Sequence, residues 1–218
     1  MADYDQIRTD LRASYGAAGA RHRDAQQKAD WKLAERDGFR RRLRQENCHS
    51  LLELGAGTGQ DSAYFAAHGL DVTATDLSAD MAACCRAKGL RAVVMDFAVP
   101  AFAAGSFDAV HAMNCLLHVP NSQLPGVLAA IARLLRPGGL FFLGVYGGVG
   151  EEGPAADDDH VPPRFFAWRT DAQIQAFARQ CFEILDFHVV KIGPDRLDFQ
   201  SLTLRRPATT GMPAQARG

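Results

Sequence analysis

The sequence has no apolar run long enough to cross a bilayer, and its start, MADYDQIRTDLR, is charged from the third residue, where a secretory signal needs an apolar stretch. Membrane and export classes are set aside, and a cytoplasmic setting is expected. Cysteine is scarce and odd in number: Cys48, Cys84, Cys85, Cys115 and Cys181 contain no C-x-x-C pair. A disulfide framework and a zinc cage are thereby disfavoured, and no metal is expected. An excess of either charge is missing as well. A formal net charge of −1 draws neither nucleic acid nor an anionic membrane, so the expected partner is a small molecule. No internal repeat is present, and nothing sets an oligomeric state. What is there is 218 residues, 47% hydrophobic and 22% charged, enough for one domain with a full core.

Residues 1–47 are polar and helix-prone, with Trp31, Phe39 and Leu43 on one stripe, and read as a helical cap. The run Arg40, Arg41, Arg42 and Arg44 reads as a solvated helix face. From Ser50 short apolar runs alternate with helical stretches, the pattern of a doubly wound α/β sheet. The strand runs are 50–54, 70–76, 90–97, 107–114 and 139–146. Helices are expected over 60–68, 79–88 and 123–135, with Ser78 capping the second. The Gly-, Pro- and Asp-rich segment GGVGEEGPAADDDHVPPR reads as a lid within 147–169. Thr170 with Gln173 predicts a capping box for one more helix, and FEILDFHVVKI and RLDFQSLTLRR around Gly193, Pro194 and Asp195 predict an antiparallel hairpin. The expected organisation is a cap over 1–47, a core over 48–206 and a flexible tail over 207–218. The expected fold is a Rossmann-like, mostly parallel seven-stranded sheet closed by an antiparallel C-terminal hairpin strand.

The most informative stretch is LLELGAGTGQ, an apolar strand running into Gly55, Gly57 and Gly59 before a helix. Glycines there let the backbone approach a ligand closely. A dinucleotide fold wants G-x-G-x-x-G, and the position of its last glycine is Gln60 here. Glu53 sits poorly beside a diphosphate but well beside a sulfonium ligand with an ammonium group. Asp76 ends the second strand, where its carboxylate can accept both ribose hydroxyls or cap the next helix. Asp96 and Phe97 suit a purine held by an amino-group hydrogen bond and stacking. Met81 can pack the other face or fill the helix core.

In this order and spacing, ELGAGTG, TATDLSADM, MDF and LLRPGG make residues 48–206 resemble the class I S-adenosylmethionine-dependent methyltransferases, particularly their small-molecule branch. The resemblance implies S-adenosylmethionine as cofactor and S-adenosylhomocysteine as product. It implies that Gly55, Ala56, Gly57 and Gly59 line the methionine and ribose, that Asp76 holds the ribose, and that Leu77 and Met81 flank the adenine. Asp96 and Phe97 would contact the base, the backbone near Asn114 the methionine ammonium, and Tyr15 would close over the methyl site.

Methyl transfer from a sulfonium is an in-line displacement, so alignment and exclusion of water supply most of the rate and a base is optional. His118, just beyond the fourth strand, is the base candidate, since ligands bind at the carboxyl edge of open sheets. Tyr146 ends the fifth strand on that edge and either orients an acceptor or completes the core. His160 and Arg164, after the acidic lid, are candidates for the acceptor pocket, with a surface loop as the other reading. His111, inside a strand, reads as a satisfied buried polar residue, and Cys115 as core. Two rivals remain: a NAD-dependent oxidoreductase on a similar sheet, and a non-catalytic module that binds S-adenosylmethionine.

Overall fold

The computed structural model describes residues 3–16, 24, 27–155, 158–193 and 197–208. Two helices, α1 (Tyr4–Ser14) and α2 (Asp30–Gln45), precede an alternation of β1 (Ser50–Leu54), α3 (Gln60–Ala67), β2 (Asp71–Asp76), α4 (Ala79–Ala87), β3 (Arg91–Val94) and β4 (Phe107–Met113). A 3-10 turn (Leu116–His118), α5 (Leu124–Leu134), β5 (Leu135–Gly147), β6 (Glu151–Pro154), β7 (Phe165–Trp168), α6 (Asp171–Ala178), β8 (Glu183–Val190) and β9 (Asp198–Arg205) follow. Seven strands form one sheet in the order β3-β2-β1-β4-β5-β9-β8. The first five are parallel, and β9 runs antiparallel between β5 and β8.

Both faces of the sheet are covered, which is why its central strands read as near-continuous apolar runs. Leu52 and Leu54 point into the core shared with Leu124, Leu128 and Ile131 of α5 and Ile174 of α6. Leu51, one residue out of phase, points to the opposite core, with Phe39 and Leu43 of α2 and Phe65 of α3. The stretch expected to be a cap thus divides into two parts: α2 belongs to the sheet's own core, whereas α1 alone lies across the top. Trp31 departs from the stripe it shares with Phe39 and Leu43. It sits in the first turn of α2 against Phe199 and Tyr146, with ring centroids 4.7 Å and 6.2 Å away.

The local signals hold where they were specific. Thr170 and Gln173 form the reciprocal capping box, at 2.9 Å and 3.2 Å, and the Ser78 side chain accepts from the Met81 amide. The segment read as a polar lid carries an antiparallel ribbon, β6 with β7. Phe165 and Ala167 of that ribbon are buried against Ile7 and Leu11 of α1. Neither strand exceeds four residues and EEGP has little strand propensity; packing on α1 makes the ribbon, not local preference. Pro194 and Asp195 of the expected hairpin turn, and the tail from 209 onward, lie outside the described residues.

Candidate functional site

The strand order reverses between β1 and β4, and in open α/β sheets ligands bind outside the carboxyl ends of the strands at such a point. A cavity of about 380 Å³ lies there, within the range of small-molecule sites. Its wall brings together Tyr15, Glu53, Gly55, Ala56, Gly57, Asp76, Leu77, Met81, Asp96, Phe97, Asn114, His118 and Tyr146. Three expected site residues stand outside that wall. Gly59 faces Cys85 and Leu90, where a Cβ would lie 2.8 Å and 2.9 Å from their side chains, so its role is packing of the loop on α4. His160 and Arg164 lie behind Tyr15, because Asp158 holds both through its carboxylate.

The loop after β1 holds three left-handed glycines, and the two on the cavity wall have different surroundings. Gly55 has φ +61°, and a Cβ there would come within 2.4 Å of the Cys115 Cβ. Gly57 has φ +56° and a Cβ there would meet nothing within 4 Å, so its bare face opens on the cavity. Opposite, Asn114 adopts φ +58°, which asparagine tolerates better than most residues, and its buried Oδ1 has no hydrogen-bond partner. An open glycine face and an orphaned amide oxygen on one wall fit a ligand that carries an ammonium donor.

Farther along, Asp76 Oδ2 accepts from the Gly57 amide at 2.8 Å and Oδ1 from the Ser78 amide at 2.9 Å, which aims the carboxylate at the loop. Asp96 accepts from the Ala98 amide and from Arg8, so α1 reaches the far end of the cavity. Leu77, Met81 and Phe97 supply apolar walls between the two acids. Asp76→Ala is expected to weaken S-adenosylhomocysteine binding by about 1–3 kcal/mol through lost charge-assisted hydrogen bonds. Unchanged affinity by calorimetry would remove Asp76 from the ribose site.

At the other end His118, 5% exposed, points its Nδ1 at the Phe165 carbonyl, 2.7 Å away. A carbonyl only accepts, so Nδ1 carries the proton and Nε2 the lone pair. Nε2 receives the Tyr15 hydroxyl at 2.8 Å, and Arg164 Nη1 donates to the same phenolic oxygen at 3.1 Å. Burial opposes ionisation of Asp158, yet hydrogen bonds from Arg164 hold its carboxyl well below the usual carboxylate range. The turn carrying His118 is braced by Arg169, 1% exposed, which donates to the carbonyls of Leu116 and Val119 and to Asn121 Oδ1. Burial pushes Arg169 down to about 10, so it remains a cation at neutral pH.

Beneath the loop lies a compact charge cluster. Glu53 accepts from Ser62 and faces His111 Nδ1 at 3.4 Å. Contrary to the sequence reading, His111 is not a satisfied polar residue: neither ring nitrogen has a hydrogen-bond partner, and the ring stacks on Phe142. Glu53, Asp61 and His111 offer ligand atoms within 4.8 Å of one another. Asp61, however, already pairs with Lys28 and Arg36, so the chain's own cations balance the cluster. Burial pushes the thiols of Cys115 and Cys85 up, the latter to about 12, which leaves them protonated and unsuited as nucleophiles. Arg8, Lys28, Lys32, Asp61 and Arg169 escaped the sequence reading, since each matters only through a partner distant in sequence.

Comparison with known proteins agrees with this geometry. Residues 51–139 match a family model described as a methyltransferase domain. The ubiquinone biosynthesis O-methyltransferase of Xanthomonas oryzae pv. oryzae (strain PXO99A) is 40% identical over 100 residues, 43% of this chain and 41% of the relative. The chain therefore spans about two fifths of the length of that curated relative. The structure of Burkholderia thailandensis 1,6-didemethyltoxoflavin-N1-methyltransferase, with bound 1,6-didemethyltoxoflavin and S-adenosylhomocysteine, superposes with a TM-score of 0.71 at 25% identity, covering 95% of this chain and 92% of that one. An S-adenosylmethionine-dependent methyltransferase of Methanosarcina mazei shares the fold, with a TM-score of 0.67 at 16% identity over 73% of this chain and 93% of that one. With the glycine loop, the 3-2-1-4-5 parallel order and the antiparallel β9 in place, the chain has the fold of the S-adenosylmethionine-dependent methyltransferases, and its residues 51–139 match a methyltransferase domain.

Proposed function

We propose that the protein methylates an oxygen, nitrogen or sulfur of a small molecule enclosed between α1, the β6–β7 ribbon and the carboxyl edge of the sheet. The observation that carries this reading is a single cavity with two chemically distinct ends. One end offers Gly57, Asp76, Asp96 and the orphaned Asn114 amide oxygen to a nucleoside bearing an ammonium group, and the other offers the Tyr15–His118 pair. When bound, S-adenosylmethionine supplies a methyl group already activated on a sulfonium. The chain's own residues then have to orient the acceptor, exclude water and remove a proton.

The hydrogen-bond directions define a proton path. An acceptor X–H donates to the Tyr15 oxygen while the Tyr15 proton passes to His118 Nε2. The net result is a deprotonated acceptor, a neutral tyrosine and an imidazolium. Arg164 lies against the same oxygen and stabilises charge that develops there, and the Phe165 carbonyl holds the imidazolium's other N–H. Arg169 acts one step back, by fixing the turn that aims His118.

No helix among the described residues is long and apolar enough to cross a membrane, and the five cysteines are free. The free thiols support a reducing, cytoplasmic setting. The test is transfer of a labelled methyl group from S-adenosylmethionine to a component of a small-metabolite extract. Binding of S-adenosylhomocysteine with no labelled product from any extract would leave the protein as a non-catalytic module.

A further inference from the structure

Three cations follow one another at four-residue intervals beside the cavity: Lys28 just before α2, and Lys32 and Arg36 within it. Lys28 and Arg36 are matched by Asp61. Lys32 is not matched. Among the described residues no carboxylate lies within ion-pair distance of its Nζ, which stands over the rings of Trp31 and Tyr146, 5.2 Å and 5.4 Å from their centroids. All three residues are half-buried, and Lys28 and Lys32 line the cavity. A half-buried ammonium that stands over two rings is oriented and partly shielded from water, and an arriving anion gains from such a cation.

The position of this group in the sheet indicates whose anion it meets. Asp76 ends β2 and Asp96 lies just beyond β3, so the nucleoside end occupies the β3-β2-β1 side of the switch point, with Asn114 after β4 at its border. Tyr146 ends β5, beyond β4 and about three strand spacings, roughly 14 Å, from the strand of Asp76. That is the side left for the acceptor. The rings of Trp31 and Tyr146 on the cavity wall, backed by the buried Phe199, suit a planar ring. We propose that Lys32, with Trp31 and Tyr146, selects a planar acceptor bearing a carboxylate or another ionised oxygen. The inference rests on the methyl-transfer reading and names the substrate class of that same site.

The probes are 4-hydroxybenzoate and its uncharged amide, titrated by calorimetry into protein saturated with S-adenosylhomocysteine. The wild-type protein is expected to bind the acid about tenfold more tightly than the amide, as one charge-assisted contact gives. Lys32→Met abolishes that difference and Lys32→Arg retains it, while affinity for S-adenosylhomocysteine stays within about twofold in both. Equal binding of acid and amide by the wild-type protein overturns the inference. So does a Lys32→Met protein that loses affinity for S-adenosylhomocysteine but not for 5′-methylthioadenosine, because Lys32 then holds the cofactor's own carboxylate. A wild-type protein that takes up no S-adenosylhomocysteine defeats the methyl-transfer reading first, and this inference with it.

Discussion

Replacing His118 with alanine is expected to lower turnover by about 10²–10³-fold, the usual range for loss of a positioned base, with S-adenosylhomocysteine affinity within about twofold of wild type. The separation follows from where the residue stands. His118 is held by Tyr15, the Phe165 carbonyl and the Phe166 ring, whereas Asp76 is held by the Gly57 and Ser78 amides and Asp96 by the Ala98 amide and Arg8. Tyr15→Phe removes the relay oxygen but leaves Nε2 its lone pair, so a smaller loss is expected than for His118→Ala. A base that acts in its neutral form shapes the acid side of the pH–rate profile, so the wild-type and His118→Ala profiles are expected to differ there. Parallel pH–rate profiles for the two proteins would falsify the proton path. The buried carbonyl of Phe165 loses its donor in the variant, so a stability loss of about 1–3 kcal/mol accompanies the substitution, read by denaturant titration.

The second large effect is expected at the glycine loop, where two substitutions of equal size separate fold from site. In Gly55→Ala the new Cβ collides with the Cys115 Cβ at 2.4 Å, on backbone whose φ of +61° already disfavours a side chain. Strain and overpacking each cost about 1–3 kcal/mol, and both act in the absence of any ligand. In Gly57→Ala the backbone strain is comparable, but the Cβ enters open cavity. Stability should fall by the strain alone, about 1 kcal/mol, whereas S-adenosylhomocysteine affinity should drop at least about tenfold because the methyl occupies ligand space. Wild-type affinity in Gly57→Ala would mean that the cofactor does not use this loop.

The parts of the molecule legible in its sequence are those whose cause is local. β1, β2, β4 and β5 announce themselves because strands covered on both faces must be largely apolar, and Thr170 with Gln173 marks a helix start because the capping atoms lie three residues apart. Asp76 and Asp96 were readable since one closes β2 and the other lies two residues beyond β3, each beside apolar neighbours. The ribbon was not readable, because Phe165 and Ala167 become strand only against Ile7 and Leu11, about 150 positions earlier in the chain. Arg169 was hidden for a similar reason: an arginine before a capped helix carries no sign that it will be buried under carbonyls some 50 residues away. The roles of Arg164 and Asp158 could not be separated by inspection, since a short run of charges in a loop looks the same whether it faces water or props a tyrosine.

α1 touches both ends of the cavity with one rod. Arg8 grips Asp96, and Tyr15 at the C-cap grips His118; the seven-position step between them spans about 10 Å of helix, which does not stretch. A nucleoside that claims Asp96 must first displace Arg8, and any tilt of the helix that follows is felt at Tyr15. On the proposed assignment of the two ends, donor and acceptor affinities are expected to be coupled through this helix. Because such coupling is a state function, whatever factor the donor imposes on the acceptor's affinity the acceptor returns to the donor.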